Sequence, residues 1–97
     1  MTSESIPKEL LEVRKKIDLV DSELISLLAE RFALTHRVGM LKASNELDAV
    51  DAGREAQKLD DLRALCLEHE LNPELITELF TRIMEEVVKN HNQLRDQ

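Results

Sequence analysis

Arg31, Glu55 and His91 each interrupt an otherwise apolar stripe, one in each of three helical segments of this 97-residue chain. A buried guanidinium with no partner is strongly destabilising, so Arg31 requires an acceptor. Two readings meet that requirement. One is a buried salt bridge, with Glu55 as its partner. The other is a clamp on a bound carboxylate, for which the planar guanidinium fork has the matching geometry. One misfit per helix on three helices points to convergence on a single polar site.

Lys42 follows Arg31 by eleven residues, close to three whole helical turns, so the two cations project from nearly the same face about 16 Å apart along the axis. Two long cationic chains at that spacing can lean onto one small dianion, although a Lys near a helix C-terminus also simply complements the dipole. Arg14 lies seventeen residues before Arg31, about 25 Å away and on a different face. Within one helix it cannot share a ligand with Arg31, but from an antiparallel partner chain it can; a solvated surface Arg is the alternative. For His91 the plain reading is a core histidine with one satisfied nitrogen. No second His or Cys stands at ligand spacing on its helix, so no metal is expected there. Ser22, Ser26 and Thr35 form no nucleophile signature, and the single Cys66 is read as core.

The elements that must position these residues are helices, and the chain is expected to be all-α, one domain over 1–97. A helical pattern opens at Pro7 and continues to about Ala43, with Gly39 its only breaker. Written as heptads, its a positions are Leu10, Ile17, Leu24, Arg31 and Val38, and its d positions are Val13, Val20, Leu27, Leu34 and Leu41. Only Arg31 is not apolar. A helix of roughly 37 residues is about 55 Å long, more than a domain of this size can cover by itself. Packing against a second copy solves the problem, and a heptad seam is the signature of that solution.

Residues 44–52 read as a loop in which Asp48 or Asp51 caps the second helix, expected over 52–69. Its stripe is Glu55, Leu59, Leu62 and Cys66. Asn72-Pro73-Glu74 combines an N-cap, a first-turn proline and an acid at the positive end of the dipole. The third helix is expected over 73–94, with Ile76, Phe80, Ile83, Val87, His91 and Leu94 along one face.

The charge balance excludes some partners. A formal net charge of −7 argues against nucleic-acid or anionic-membrane binding, which require a basic footprint. Any anionic ligand must find a local basic pocket. A single cysteine forms no internal disulfide, and residues 1–7 have neither the basic start nor the apolar core of a leader. No apolar run approaches membrane-spanning length. A cytoplasmic protein is expected.

Taken together in order and spacing, five segments make the chain resemble the AroQ class of chorismate mutases over nearly its whole length. They are Val13-Arg14-Lys15-Lys16-Ile17-Asp18, Leu28-Ala29-Glu30-Arg31-Phe32, Val38-Gly39-Met40-Leu41-Lys42, Asp51-Ala52-Gly53-Arg54-Glu55, and the run from Leu79-Phe80 to His91. The segments Leu28–Phe32 and Val87–His91 look most like the monofunctional branch of alpha-proteobacteria. The resemblance implies three helices per chain, an intertwined homodimer, and two equivalent sites each completed by an arginine of the other subunit.

Carried over by position, Arg14 of the partner chain and Arg31 would bind the two carboxylates of chorismate. Lys42 would reach the breaking ether oxygen and a carboxylate, Asp51 and Glu55 would hold the ring-hydroxyl region, and Arg54 would form the pocket wall. Two positions depart from the better-known bacterial pattern, which has Ser and Gln where this chain has Val87 and His91. The Val removes a hydroxyl contact; the His replaces the Gln as a donor only with its proton on the correct nitrogen.

The implied reaction, chorismate to prephenate, is unimolecular and pericyclic and needs no protein nucleophile, metal or cofactor. That agrees with a sequence lacking a triad, a metal-ligand cluster or a phosphate loop. An isochorismate pyruvate lyase and a mutase of amino-substituted chorismate share the implied fold and cationic pocket. A non-catalytic helical dimer acting as a regulatory partner is the alternative of a different class. Arg at a heptad a position argues against it, since a pure scaffold gains from an apolar residue there.

Overall fold

The structure, a computed structural model, describes residues 6–96. It holds three helices, α1 (Lys8–Ser44), α2 (Ala52–His69) and α3 (Pro73–Arg95), each within a residue of its expected bounds; Met1–Ser5 and Gln97 lie outside the described residues. No described helix is long and apolar enough to cross a membrane.

The helix starts follow from side-chain caps. Asp51, not Asp48, is the N-cap of α2, its Oδ1 accepting the Arg54 N–H at 3.0 Å. Asn72 does the same for α3, accepting from Glu74 N–H at 3.0 Å ahead of Pro73. Each cap satisfies a backbone donor that the first turn leaves without a partner.

The helix ends are less orthodox. Glu46 and Glu70 both take the left-handed conformation at φ 55°, where glycine is usual. Leu47 N–H then donates to the Lys42 carbonyl at 2.8 Å, and Leu71 N–H to the Cys66 carbonyl at 2.9 Å. These six-residue closures satisfy terminal carbonyls in place of the next helical bond.

The chain forms two compact units that meet between Ala33 and Leu34. In the first, α1 carries its heptad residues in the open: Leu10, Val13, Ile17, Val20, Leu24 and Leu27 are all exposed, from 41% at Leu10 to 60% at Leu27. Contiguous apolar surface of this kind marks an interaction face.

In the second unit, α2 packs on α3, and Leu62, Cys66, Ile83 and Ala49 are its buried apolar residues. The α1 residues of this unit separate into two stripes. Thr35, Gly39, Lys42 and Ala43 are buried or half-buried, whereas the heptad residues Leu34, Val38 and Leu41 remain exposed. Own-chain packing therefore uses a stripe beside the heptad seam and leaves the seam open.

Gly39 is what allows α3 to lie against α1. A Cβ at this position would overlap His91 Cδ2, fall 3.0 Å from His91 Nε2 and 2.9 Å from Leu94 Cδ1. His91 is 3% exposed, so its ring has little room to retreat. Gly39→Ala is expected to destabilise the fold by about 1–3 kcal/mol through overpacking, despite alanine's better helix propensity. Chemical denaturation reads this; an unchanged or raised midpoint would contradict the close packing.

Candidate functional site

Lys42 stands in the last turn of α1 and is half-buried. Its Nζ donates to the carbonyl of Ala49 at 3.3 Å, in the loop that leads to Asp51. Among the described residues it meets no carboxylate. A covered ammonium retains a cost unless an anion joins it, and with three donors it has capacity for one beyond the carbonyl. Capping of the α1 dipole alone would leave the chain free in solvent. The tether to Ala49 instead fixes it beside the start of α2.

Arg31 is half-buried and Arg14 exposed on the α1 residues of the first unit. Arg14 thus stands open on its helix surface, as both the solvated and the partner-crossing readings require.

Asp51, Arg54 and Glu55 are set by one cap. Because the Asp51 side chain holds the first turn of α2, Arg54 and Glu55 follow at fixed angles on that turn. Asp51 and Arg54 are exposed and Glu55 is half-buried. Glu55 joins Val50, Leu59, Thr81, Met84, Glu85 and Val88 in lining an open, largely apolar groove of about 320 Å³ between α2 and α3. Glu55 and Glu85 supply the carboxylates of this lining.

On α3, the covered face contains Ile76, Phe80, Ile83, Val87, His91 and Leu94, all buried or half-buried, as the spacing predicts. His91 Nε2 lies 2.8 Å from the Thr35 carbonyl oxygen. A carbonyl only accepts, so Nε2 carries the proton and donates. The buried Nδ1 has no hydrogen-bond partner. In this arrangement His91 is a core histidine with one satisfied nitrogen, joining α3 to α1.

Three contributors are hidden from residue spacing or nearly so. Thr35 carries no nucleophile signature in the sequence, and it acts through its backbone carbonyl, to which side-chain type gives no clue. Ala49 likewise acts through its carbonyl. Gly39 stands out as the single breaker in a long helix, and that is the available signal for a close approach. Cys66 is free and buried as expected of a core thiol. Among the described residues no group of three or more His, Cys, Asp or Glu side chains could hold a metal ion.

Comparison with known proteins shows the family of the chain. Residues 13–92 match the family model for chorismate mutase type II. The chain is 38% identical over 97 residues to the bifunctional chorismate mutase/prephenate dehydratase of Escherichia coli, covering 100% of this chain and 24% of that protein. To the chorismate mutase of Methanocaldococcus jannaschii it is 33% identical over 78 residues, 80% of this chain and 79% of the relative. To the T-protein of Haemophilus influenzae it is 33% identical over 89 residues, 92% of this chain and 24% of the relative. It thus spans about a quarter of the length of the Escherichia coli bifunctional enzyme and of the T-protein. The matched segment runs from Val13 to Asn92 and includes every candidate residue from Arg14 to His91. With an all-helical chain opening on a long helix, and a covered cation with capacity for an anion beside a capped second helix, the chain belongs to the chorismate mutase type II family.

Proposed function

We propose that this chain is a chorismate mutase that rearranges chorismate to prephenate as an intertwined homodimer, with residues 1–97 acting as one catalytic domain. The observation that carries the reading is Lys42, a half-buried ammonium that has a carbonyl partner but no counter-ion among the described residues, within a segment that matches the family.

The reaction breaks a C–O bond and forms a C–C bond within one flexible dianion, through a chair-like arrangement. Its catalyst must hold the reactive conformer and stabilise the negative charge that grows on the ether oxygen. Arg31, and Arg14 of the partner subunit, bind the two carboxylates and select the conformer. Lys42 donates to the ether oxygen and a carboxylate. Glu55 accepts from the ring hydroxyl, with Asp51 fixing that end of the site and Arg54 and Val87 forming its walls. His91 is the second donor to the ether oxygen. None of these steps requires a metal, a cofactor or a covalent intermediate.

The dimer answers the exposed seam. Leu24, Leu27 and Leu34 are 53–60% exposed, and a second copy of α1 would cover them. An antiparallel pairing that brings Arg14 of one chain beside Arg31 of the other has its axis at Ser22 and Glu23, the midpoint of those positions. That symmetry generates two identical sites. The placement in the monofunctional, alpha-proteobacterial branch rests on the wording of Leu28–Phe32 and Val87–His91, and a cytoplasmic location on the free thiol of Cys66, which suits a reducing compartment.

A substrate panel tests the assignment. Chorismate is expected to disappear with prephenate as sole product, while isochorismate and amino-substituted chorismate react far more slowly. Preferential release of pyruvate from isochorismate would make the chain a lyase, and inactivity of a folded dimer on all three substrates would make it a scaffold or regulatory partner.

A further inference from the structure

Of the carboxylate, lysine and arginine residues described, only Arg31, Lys42, Glu55 and Lys58 are half-buried; the others are exposed. Three of these four already have places in the proposed site. Lys58 has none, although it stands on α2 three residues after Glu55 and four after Arg54, a spacing that makes it a neighbour of both. Side chains on a helix lean toward its N-terminus, so the Lys58 chain runs back over the turn that carries Arg54 and Glu55.

Glu55 and Lys58 also behave unlike similar residues in the open. An acid followed three residues later by a base forms an ion pair at Asp60 and Arg63, 3.0 Å apart, and at Glu86 and Lys89, 4.0 Å apart. Glu55 and Lys58 have the same order and spacing, yet among the described residues neither is in an ion pair. Two partly covered charges held apart each retain a desolvation cost. A ligand group that both donates and accepts would relieve both. A hydroxyl is such a group, since it can donate to a carboxylate while accepting from an ammonium.

We infer that Lys58 is a substrate-binding and specificity-determining residue: it donates to the oxygen of the ring hydroxyl whose hydrogen Glu55 accepts, and its charge turns away an amine at the same ring position. The inference deepens the mutase reading and rests on it. An aliphatic amine is protonated at neutral pH. It can donate to Glu55, but it offers Lys58 no lone pair and sets two cations side by side. The site then discriminates by repulsion as well as by a lost hydrogen bond. A lysine stem that merely covered apolar neighbours, with its head in water, would give no preference between the two ring substituents.

Lys58→Met in the full chain keeps the stem and removes the charge. Its kcat/KM for chorismate is expected to fall about tenfold, the loss of one charge-assisted hydrogen bond. The fall should lie mainly in KM, because the hydroxyl takes no part in bond breaking and is held alike before and during the reaction. The ratio of kcat/KM for amino-substituted chorismate to that for chorismate should rise at least about tenfold. Lys58→Arg keeps the charge and should retain the parental ratio. If the methionine variant fails to fold, the neutral Lys58→Gln reads the same ratio; where turnover of the amine is too slow to follow, its inhibition constant against chorismate carries the comparison. A ratio unchanged in the neutral variants, or shifted as far by arginine as by methionine, overturns the inference and leaves the mutase reading standing. Failure of the folded, dimeric parent to convert either substrate overturns both.

Discussion

Lys42→Ala is expected to lower kcat for chorismate by about 10²–10³-fold, the loss expected on deleting one preorganised donor to a developing oxyanion, whereas Asp18→Ala should leave the rate nearly unchanged. Lys42 has the geometry for this role because its ammonium is held at the Ala49 carbonyl rather than free in water. A donor fixed before the reaction needs no reorganisation as charge develops, and its effect is larger in a site from which water is excluded. Asp18 is exposed on α1 and meets no developing charge. The loss should lie mainly in kcat, since an interaction that strengthens only in the transition state leaves binding less affected. Comparable activities in the two variants would remove Lys42 from the centre of the mechanism.

Leu24→Asp is expected to convert the proposed dimer to monomers and to lower activity by on the order of 10²-fold or more. Leu24 adjoins the proposed two-fold axis, so each dimer would bring two carboxylates together in an apolar seam, with no cation to pair them. Burying an unpaired charge costs several kcal/mol, and symmetry doubles the effect. The activity loss follows because Arg14 could no longer enter the partner's site, removing a cation that helps to select the reactive conformer. Light scattering reads the mass and a chorismate assay the rate. A variant that stays dimeric would show that the exposed leucines of α1 serve some other contact, and a monomer with full activity would show that each site is complete within one chain.

The fold is legible in the sequence because its signals are local. Asn72-Pro73-Glu74 and the Asp51 cap state helix starts in side-chain chemistry, and the heptad run of α1 states both its length and its need for another surface. The ends of α1 and α2 are less plainly written. Glutamates at positions 46 and 70 occupy the left-handed positions where a glycine would have announced the stop, and the boundaries are marked instead by the caps that follow them.

The site is legible only in its charged residues. A polar side chain on an apolar stripe is visible in a sequence, so Arg31, Glu55 and His91 stand out by spacing alone. What those side chains touch is a matter of tertiary geometry. The Ala49 carbonyl that tethers Lys42 and the Thr35 carbonyl that orients His91 are backbone atoms common to every residue type. No spacing rule distinguishes which nitrogen of His91 carries its proton, because that follows from the approach of two helices at Gly39. Residues supplied by a second chain are a further step removed. Arg14 reads the same in the sequence and in the folded chain, as an exposed cation, until a partner gives it a ligand.

The central claim is that this chain rearranges chorismate by clamping it between fixed cations. Its most direct test is conversion of chorismate by the parent protein beside Arg31→Ala, with prephenate identified as the product. Arg31 is half-buried at a heptad position where an apolar residue would stabilise a mere scaffold, and in the proposed mechanism it binds a substrate carboxylate. Rapid formation of prephenate by the parent, lost in a variant that remains folded and dimeric, is the expected result. A folded, dimeric parent that leaves chorismate untouched, or an Arg31→Ala variant as active as the parent, would contradict it.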